Sequence, residues 1–308
     1  MKSVLWTVLT AIAPILWGST YIVTTEFLPQ GTPFTTAVIR CLPAGIILIV
    51  MSRYLPARTE WTSLLQLSFF NFACFQGLLF MAAYRLPGGL AAVIGAVQPF
   101  IVLGLSWLVL KHKPSALTLF ACMGAIFGMA LLILVPLKNQ GVQWDEIGML
   151  AAFLGAVSMG FGTFYSKHWQ ALQSSQTPIL AFTGWQLALG GIMLLPFSLV
   201  LDPDLPPLTL NHVVGFSYLA LGGTLIAYLI WFIGVRLLNS ASVSALGILS
   251  PISAIVLGWI VLGQAIEGWA LVGLIIVISS IFLVQFSQAR SRFLNVKSTI
   301  VQTQEKTV

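Results

Sequence analysis

Charge is what this chain has least of. Asp, Glu, Lys and Arg make up 7% of its 308 residues, hydrophobic residues make up 58%, and mean hydropathy is +0.98. A water-soluble fold needs a far larger charged surface. Acids are the scarcest charge, eight in all, and none lies inside an apolar run. His112, His168 and His212 fall at the ends of runs. Hydrolysis within a membrane needs a nucleophile with its base, or a metal with its ligands, and neither set is present. The sequence is therefore not read as an enzyme, and no cofactor or metal is expected. Cys41, Cys74 and Cys122 sit in apolar segments with no spacing pattern, which excludes a disulfide framework. The net charge of +6 comes from basic residues scattered singly, so no nucleic-acid partner is expected.

What is present is a repeat. Gly89 to Leu110 returns 152 residues later as Ala241 to Leu262, matching at Gly95/Gly247, Pro99/Pro251, Leu105/Leu257, Trp107/Trp259, Val109/Val261 and Leu110/Leu262. Each copy is an uncharged stretch about 33 Å long as a helix, enough to cross a bilayer core of roughly 30 Å. Each also carries a proline near its middle, where the missing backbone donor bends a helix. Weaker matches, Phe80/Phe232 and Leu86/Leu238, keep the same offset, and Trp17 to Tyr21 resembles Phe161 to Tyr165.

Apolar runs at 4–25, 34–51, 62–84, 87–110, 115–135, 147–166, 178–200, 212–235, 239–262 and 269–286 predict ten spanning helices joined by short loops. The first begins like a signal peptide at Lys2 but continues past twenty residues without a cleavage site, so it is kept as a span. With the N-terminus in the cytoplasm, eleven basic residues lie inside and only Arg85 and Lys138 outside, which puts both termini in the cytoplasm. A repeat after five spans inverts the second half. The expectation is an all-α integral membrane protein of two inverted-topology five-helix repeats, 1–136 and 137–288, around a central cavity. A basic, disordered cytoplasmic tail is expected over 289–308.

Polar residues at mid-span should face the interior rather than lipid. Pro99 and Pro251 mark that level, preceded by Gln98 and Ser250. Helical spacing puts Thr10, Pro14, Trp17, Tyr21 and Thr24 on one face of the first span, Gln76, Phe80 and Tyr84 on one face of the third, and Ser217, Thr224, Tyr228 and Trp231 on one face of the eighth. Against this, Ser and Thr in membrane helices often bond backbone, and Tyr84 and Trp231 also suit interfacial anchors. Gly124 and Gly128 form a GxxxG pair that reads as helix packing. Arg40 is the one charge inside a span. It has three readings: a structural group snorkelling outward or reaching Glu26, a partner for a substrate carboxylate, or a gating residue.

WGSTYIV after a proline, the Pro33–Arg40–Ala44 pattern, and the run from Ala82 to Pro99 resemble EamA-type members of the drug/metabolite transporter superfamily. Trp185-Gln186 and the segment from Pro251 to Leu262 resemble them too, and so Trp185 joins the candidate cavity lining. The family's Gly-Glu after spans 4 and 9 is replaced here by Lys111-His112 and Gly263-Gln264, so no role of those acids carries over. The resemblance implies a ten-helix carrier exporting amino acids or other small metabolites from a bacterial-type plasma (inner) membrane. The lone arginine and the absence of buried acids favour a zwitterionic or neutral amphipathic substrate, moved as a monomer by alternating access and facilitated flow. A non-transporting scaffold or partner subunit is a second reading, which a solid apolar centre would favour; a lipid-headgroup flippase is a third.

Overall fold

The structure, a computed structural model, describes residues 2–111, 115–139, 145–172, 178–202, 204–237, 246–247, 249–263, 267–269, 271–283 and 286. The expected tail lies outside them. Among the described residues every regular element is helical. The chain runs through α1 (Lys2–Gly18), α2 (Thr20–Phe27), α3 (Pro33–Ser52), α4 (Trp61–Ser68), a π-helical segment Phe69–Cys74 and α5 (Phe75–Arg85). It continues through α6 (Gly88–Gly95), α7 (Gln98–Leu110), α8 (Ala116–Asn139), α9 (Glu146–Leu172) and α10 (Ile179–Leu201). The last elements are α11 (Leu210–Ser217), a second π segment Tyr218–Ile226, α12 (Ala227–Leu237), α13 (Leu249–Leu262) and α14 (Leu271–Leu283).

Six of these rods are long and apolar enough to cross a membrane, and the bent pair α1–α2 makes a seventh. Three more of the expected runs appear as shorter apolar helices, Ala116–Leu131, Leu249–Leu262 and Leu271–Leu283. Phe120, Ile126, Leu199, Val200 and Ile260 point outward, while Thr24, Thr36, Arg40, Gln76 and Thr224 are buried. An apolar outside over a polar inside suits hydrocarbon as the solvent. The chain is a multi-pass membrane protein.

The repeat is visible in the backbone. Both π segments end, and both helices that follow begin and end, at the offset found in the sequence: Cys74 and Ile226, Phe75 and Ala227, Arg85 and Leu237. Leu110 and Leu262 close α7 and α13 in the same register. A π turn is rare and recurs at functional sites, so a matched pair is not a local accident.

The spine of the bundle is α3 against α10. A Cβ on Gly45 would strike the Ala188 backbone, and one on Gly191 would come within 2.9 Å of the Leu42 Cβ. These small residues let the two backbones approach, which is how membrane helices gain packing energy. The helices run antiparallel, since α3 begins where α10 ends. The first N–H groups of α3 have no intrahelical acceptor, and the Thr35 N–H donates to Asp202 Oδ2 at 2.7 Å. Beside it, the Thr35 and Ser198 hydroxyls are 2.7 Å apart. Gly124 and Gly128 pack α8 against α14, facing Ser280 and Ile276, the role GxxxG spacing gives them.

Burial pushes the Asp202 carboxyl above its usual 3.8, against hydrogen bonds from Thr35 and Phe34 that pull it down. A raised folded pKa means the fold favours the protonated form. That stabilisation is complete below about 3.8 and lost as pH rises through the folded value. Asp202→Asn keeps an acceptor for Thr35 without the charge. We expect its melting temperature to match or exceed wild type at pH 7, with the difference vanishing towards pH 4. A constant deficit at every pH would contradict this account.

Candidate functional site

The site starts from breaks in helices. In α1, Pro14 leaves the Thr10 carbonyl without a helical donor, and the rod bends by 41° between Gly18 and Thr20. Gly18 has no room for a side chain: a Cβ would collide with the Ser250 carbonyl and lie 2.7 Å from Ser253 Cβ. Ser250 and Pro251, at the start of α13, therefore support the bend in the first span. At the equivalent crossing, a Cβ on Gly160 of α9 would lie 2.7 Å from the Ile101 side chain and 3.7 Å from the Gln98 carbonyl, at the start of α7 beside Pro99. Gln98 and Ser250, like Ile101 and Ser253, are repeat equivalents. Each proline helix thus supports one crossing rod.

Aromatic rings fill the space beside the α1–α2 break. Trp17 lies 5.3 Å from Tyr228 and 5.2 Å from Trp231, ring centre to ring centre. Tyr228 stacks on Phe232 at 5.9 Å and meets Phe72 at 6.1 Å. Arg40 reaches this group from α3. It is 4% exposed, its Nε donates to Thr224 Oγ1 at 3.1 Å, and its guanidinium lies 5.6 Å over the Phe80 ring. The side chains close enough to interact with its charge are Cys41, Tyr228, Tyr21 and Tyr218. Gln76, 2% exposed, lies along the third rod between Phe72 and Phe80. The snorkelling reading of Arg40 is thereby corrected: the side chain stays buried because Thr224 and Phe80 hold it, while Glu26 is exposed.

Polar atoms here lack partners. Trp17 Nε1, Thr20 Oγ1, Arg40 Nη1, Gln76 Oε1 and Asn71 Oδ1 are buried without a hydrogen bond. Each such atom costs about 1–3 kcal/mol, more when charged. A fold made only for packing would not leave this many, and the charged Arg40 is one of them. The centre of the described residues is packed with side chains, but aromatic and polar ones rather than the purely apolar ones of the scaffold reading.

A second polar group, like the first, is built from both halves. Asn71 Nδ2 donates to Gln186 Oε1 at 2.8 Å and to Ser166 Oγ at 3.1 Å, and Gln98 Nε2 donates to Thr163 Oγ1 at 3.0 Å. Gly162 makes the room, since any Cβ there would overlap the Asn71 side chain. Each group ties a π segment to a long helix of the opposite half: Thr224 to Arg40 in one, Asn71 to Gln186 in the other.

Of the sequence candidates, Trp17, Tyr21, Arg40, Gln76 and Tyr228 come together at the first group. Gln98 and Pro99 belong with the second, and Ser250 and Pro251 lie beneath the α1–α2 break. Trp185 stands apart. Its Nε1 donates to the Tyr54 carbonyl at 3.0 Å and its ring meets Trp61 at 5.1 Å, near the end of the bundle. Neighbouring helix residues diverge in direction, so Gln186 reaches the interior instead. Thr10 and Thr24 bond the carbonyls of Trp6 and Thr20, and Tyr84 bonds the Pro29 carbonyl and the Thr32 and Thr36 hydroxyls. These are packing roles.

Ser217 is replaced by Tyr218, whose hydroxyl lies 2.6 Å from Ser19 Oγ; Ser217 is exposed. The π segment begins at Tyr218, and its wider turn rotates the face that a regular helix would present. Asn71, Ser166 and Thr163 also escaped sequence reasoning, for want of a spacing signal. The expected central hollow is filled by the Trp17, Tyr228 and Trp231 rings in this conformation. A small, partly open cavity of about 20 Å³, lined by Tyr21, Phe75, Leu79, Gly95 and Gly155, has room for about one water.

Broken and π-helical rods meet here around buried, unsatisfied polar groups, an arrangement that suits a membrane transporter. The sequence profile of the EamA-like transporter family matches residues 4–134 and again 146–286, and the chain belongs to that family, within the drug/metabolite transporter superfamily. It is 40% identical over 285 residues to protein PecM of Dickeya dadantii, covering 92% of this chain and 94% of that one. It is 28% identical to the WAT1-related protein At3g02690, chloroplastic, of Arabidopsis thaliana, covering 92% and 70%. It is 25% identical to the uncharacterized inner membrane transporter YicL of Salmonella typhimurium, covering 91% and 94%. A crystal structure with 16% identity superposes with a TM-score of 0.63 over 92% of this chain and 98% of that chain, which shows a shared fold.

Proposed function

We propose that the protein is a secondary carrier that exports small amphipathic metabolites across a bacterial-type inner membrane by alternating access. It comprises ten spans in two inverted units, 1–136 and 137–288, with both termini cytoplasmic, and works as a monomer. The observation that carries this reading is the set of unpartnered atoms on Trp17, Arg40 and Gln76 beside the aromatic cluster. Such atoms gain partners when a polar molecule enters. The matched π segments support two exchangeable arrangements of the halves, as inverted-repeat carriers require. Spans without a buried acid support facilitated flow rather than proton coupling.

Cells overproducing the protein should accumulate a metabolite in the medium, and Trp17→Ala and Tyr228→Ala at equal expression should abolish most of that excess. An unchanged medium would count against the carrier. In proteoliposomes, uphill accumulation driven by a pH difference alone would count against facilitated flow.

A further inference from the structure

The site's chemistry narrows the substrate, given the carrier reading above. Arg40 is a buried cation with one side-chain hydrogen bond, to an uncharged threonine, and a free Nη1. The titratable groups within reach of its charge are a thiol and three phenols, none of them a carboxylate. A buried charge is ordinarily paired, and here the protein's described residues supply no counter-ion. Another unpartnered donor of the first group, Trp17 Nε1 beside Tyr228, also suits an anion. The acceptor side is thin: Gln76 Oε1 is neutral, and among the described residues no carboxylate is recorded near Arg40.

We infer that the substrate is an aromatic monocarboxylate without an ammonium group, its carboxylate on Arg40 and its ring among Trp17, Tyr228 and Trp231. One arginine matches one negative charge. The planar guanidinium suits a carboxylate, and a doubly charged phosphate would keep a charge unpaired. A zwitterionic amino acid would bring its ammonium into a site with no acid to receive it, and that desolvation opposes binding. This departs from the zwitterionic or neutral substrate expected from the sequence, because the surroundings of Arg40 favour a single negative charge.

Binding to purified protein, read by quenching of tryptophan fluorescence, tests the inference with four probes: phenylacetate, phenylalanine, 2-phenylethanol and phenyl phosphate. Phenylacetate should bind about ten- to a hundredfold more tightly than the neutral alcohol, the factor a charge-assisted hydrogen bond supplies. It should also exceed phenylalanine and phenyl phosphate. Arg40→Met should erase the preference for the acid over the alcohol, and Arg40→Lys should keep it in weakened form. Phenylalanine or phenyl phosphate binding as well as phenylacetate, or no acid preference in the wild type, would overturn the inference, whether or not the variants fold. Proteoliposome flux separates it from the carrier reading. Phenylacetate binding without flux leaves the site and removes the carrier; flux of a neutral compound indifferent to Arg40 leaves the carrier and removes the site.

Discussion

Thr224→Val should lower the melting temperature of the purified protein, and adding Arg40→Met should restore it. Valine keeps the shape of threonine and removes the oxygen that accepts from Arg40 Nε. A hydrogen bond to a charged group contributes about 1.5–3 kcal/mol, and its loss here also leaves a guanidinium N–H buried and unpaired. Replacing the arginine then removes the charge itself. Substituting buried ionic groups with apolar ones of similar size is often neutral or stabilising, and methionine is flexible enough to fill the volume over Phe80. Stability and function should part: the double variant folds as well as wild type yet exports nothing that needs Arg40. If the second substitution lowered stability further, Arg40 would be a structural tie and its substrate role would lose its support.

Gly45→Leu should prevent accumulation of folded protein, while Gly104→Leu should be harmless. At Gly45 the first added carbon meets the Ala188 backbone nitrogen and lies 2.9 Å from both Ala188 Cα and the Gly184 carbonyl. Backbone cannot move aside as a flexible side chain can. Overpacking typically costs about 1–3 kcal/mol even where side chains yield. Here it would wedge α3 from α10 and carry Arg40 away from Thr224. At Gly104 nothing lies within 4 Å of an added Cβ. Detergent-extracted, monodisperse yield reads the contrast directly. Equal yields would mean that the α3–α10 contact does not organise the bundle.

Much of the architecture was legible before any coordinates. Scarce charge required a membrane, long apolar runs gave the spans, and Gly95, Pro99 and Trp107 recurring as Gly247, Pro251 and Trp259 exposed the duplication. The same offset reappears in the limits of α5 and α12. The site was legible in part, because a buried polar residue in a span must face inward whatever it touches. That rule found Trp17, Arg40, Gln76 and Tyr228.

Composition and periodicity fixed the class of the protein, the equivalence of its halves and the isolation of Arg40, since each follows from transfer energies along one chain. Which inward-facing groups meet was decided only in three dimensions. The second π segment turned Tyr218 inward in place of Ser217, glycines let α3 and α10 close until Arg40 met Thr224, and Gln186 reached Asn71 while Trp185 turned to Tyr54. Regular periodicity carries no sign of a local change in helical winding, and a repeat shows which residues correspond without showing which ones touch.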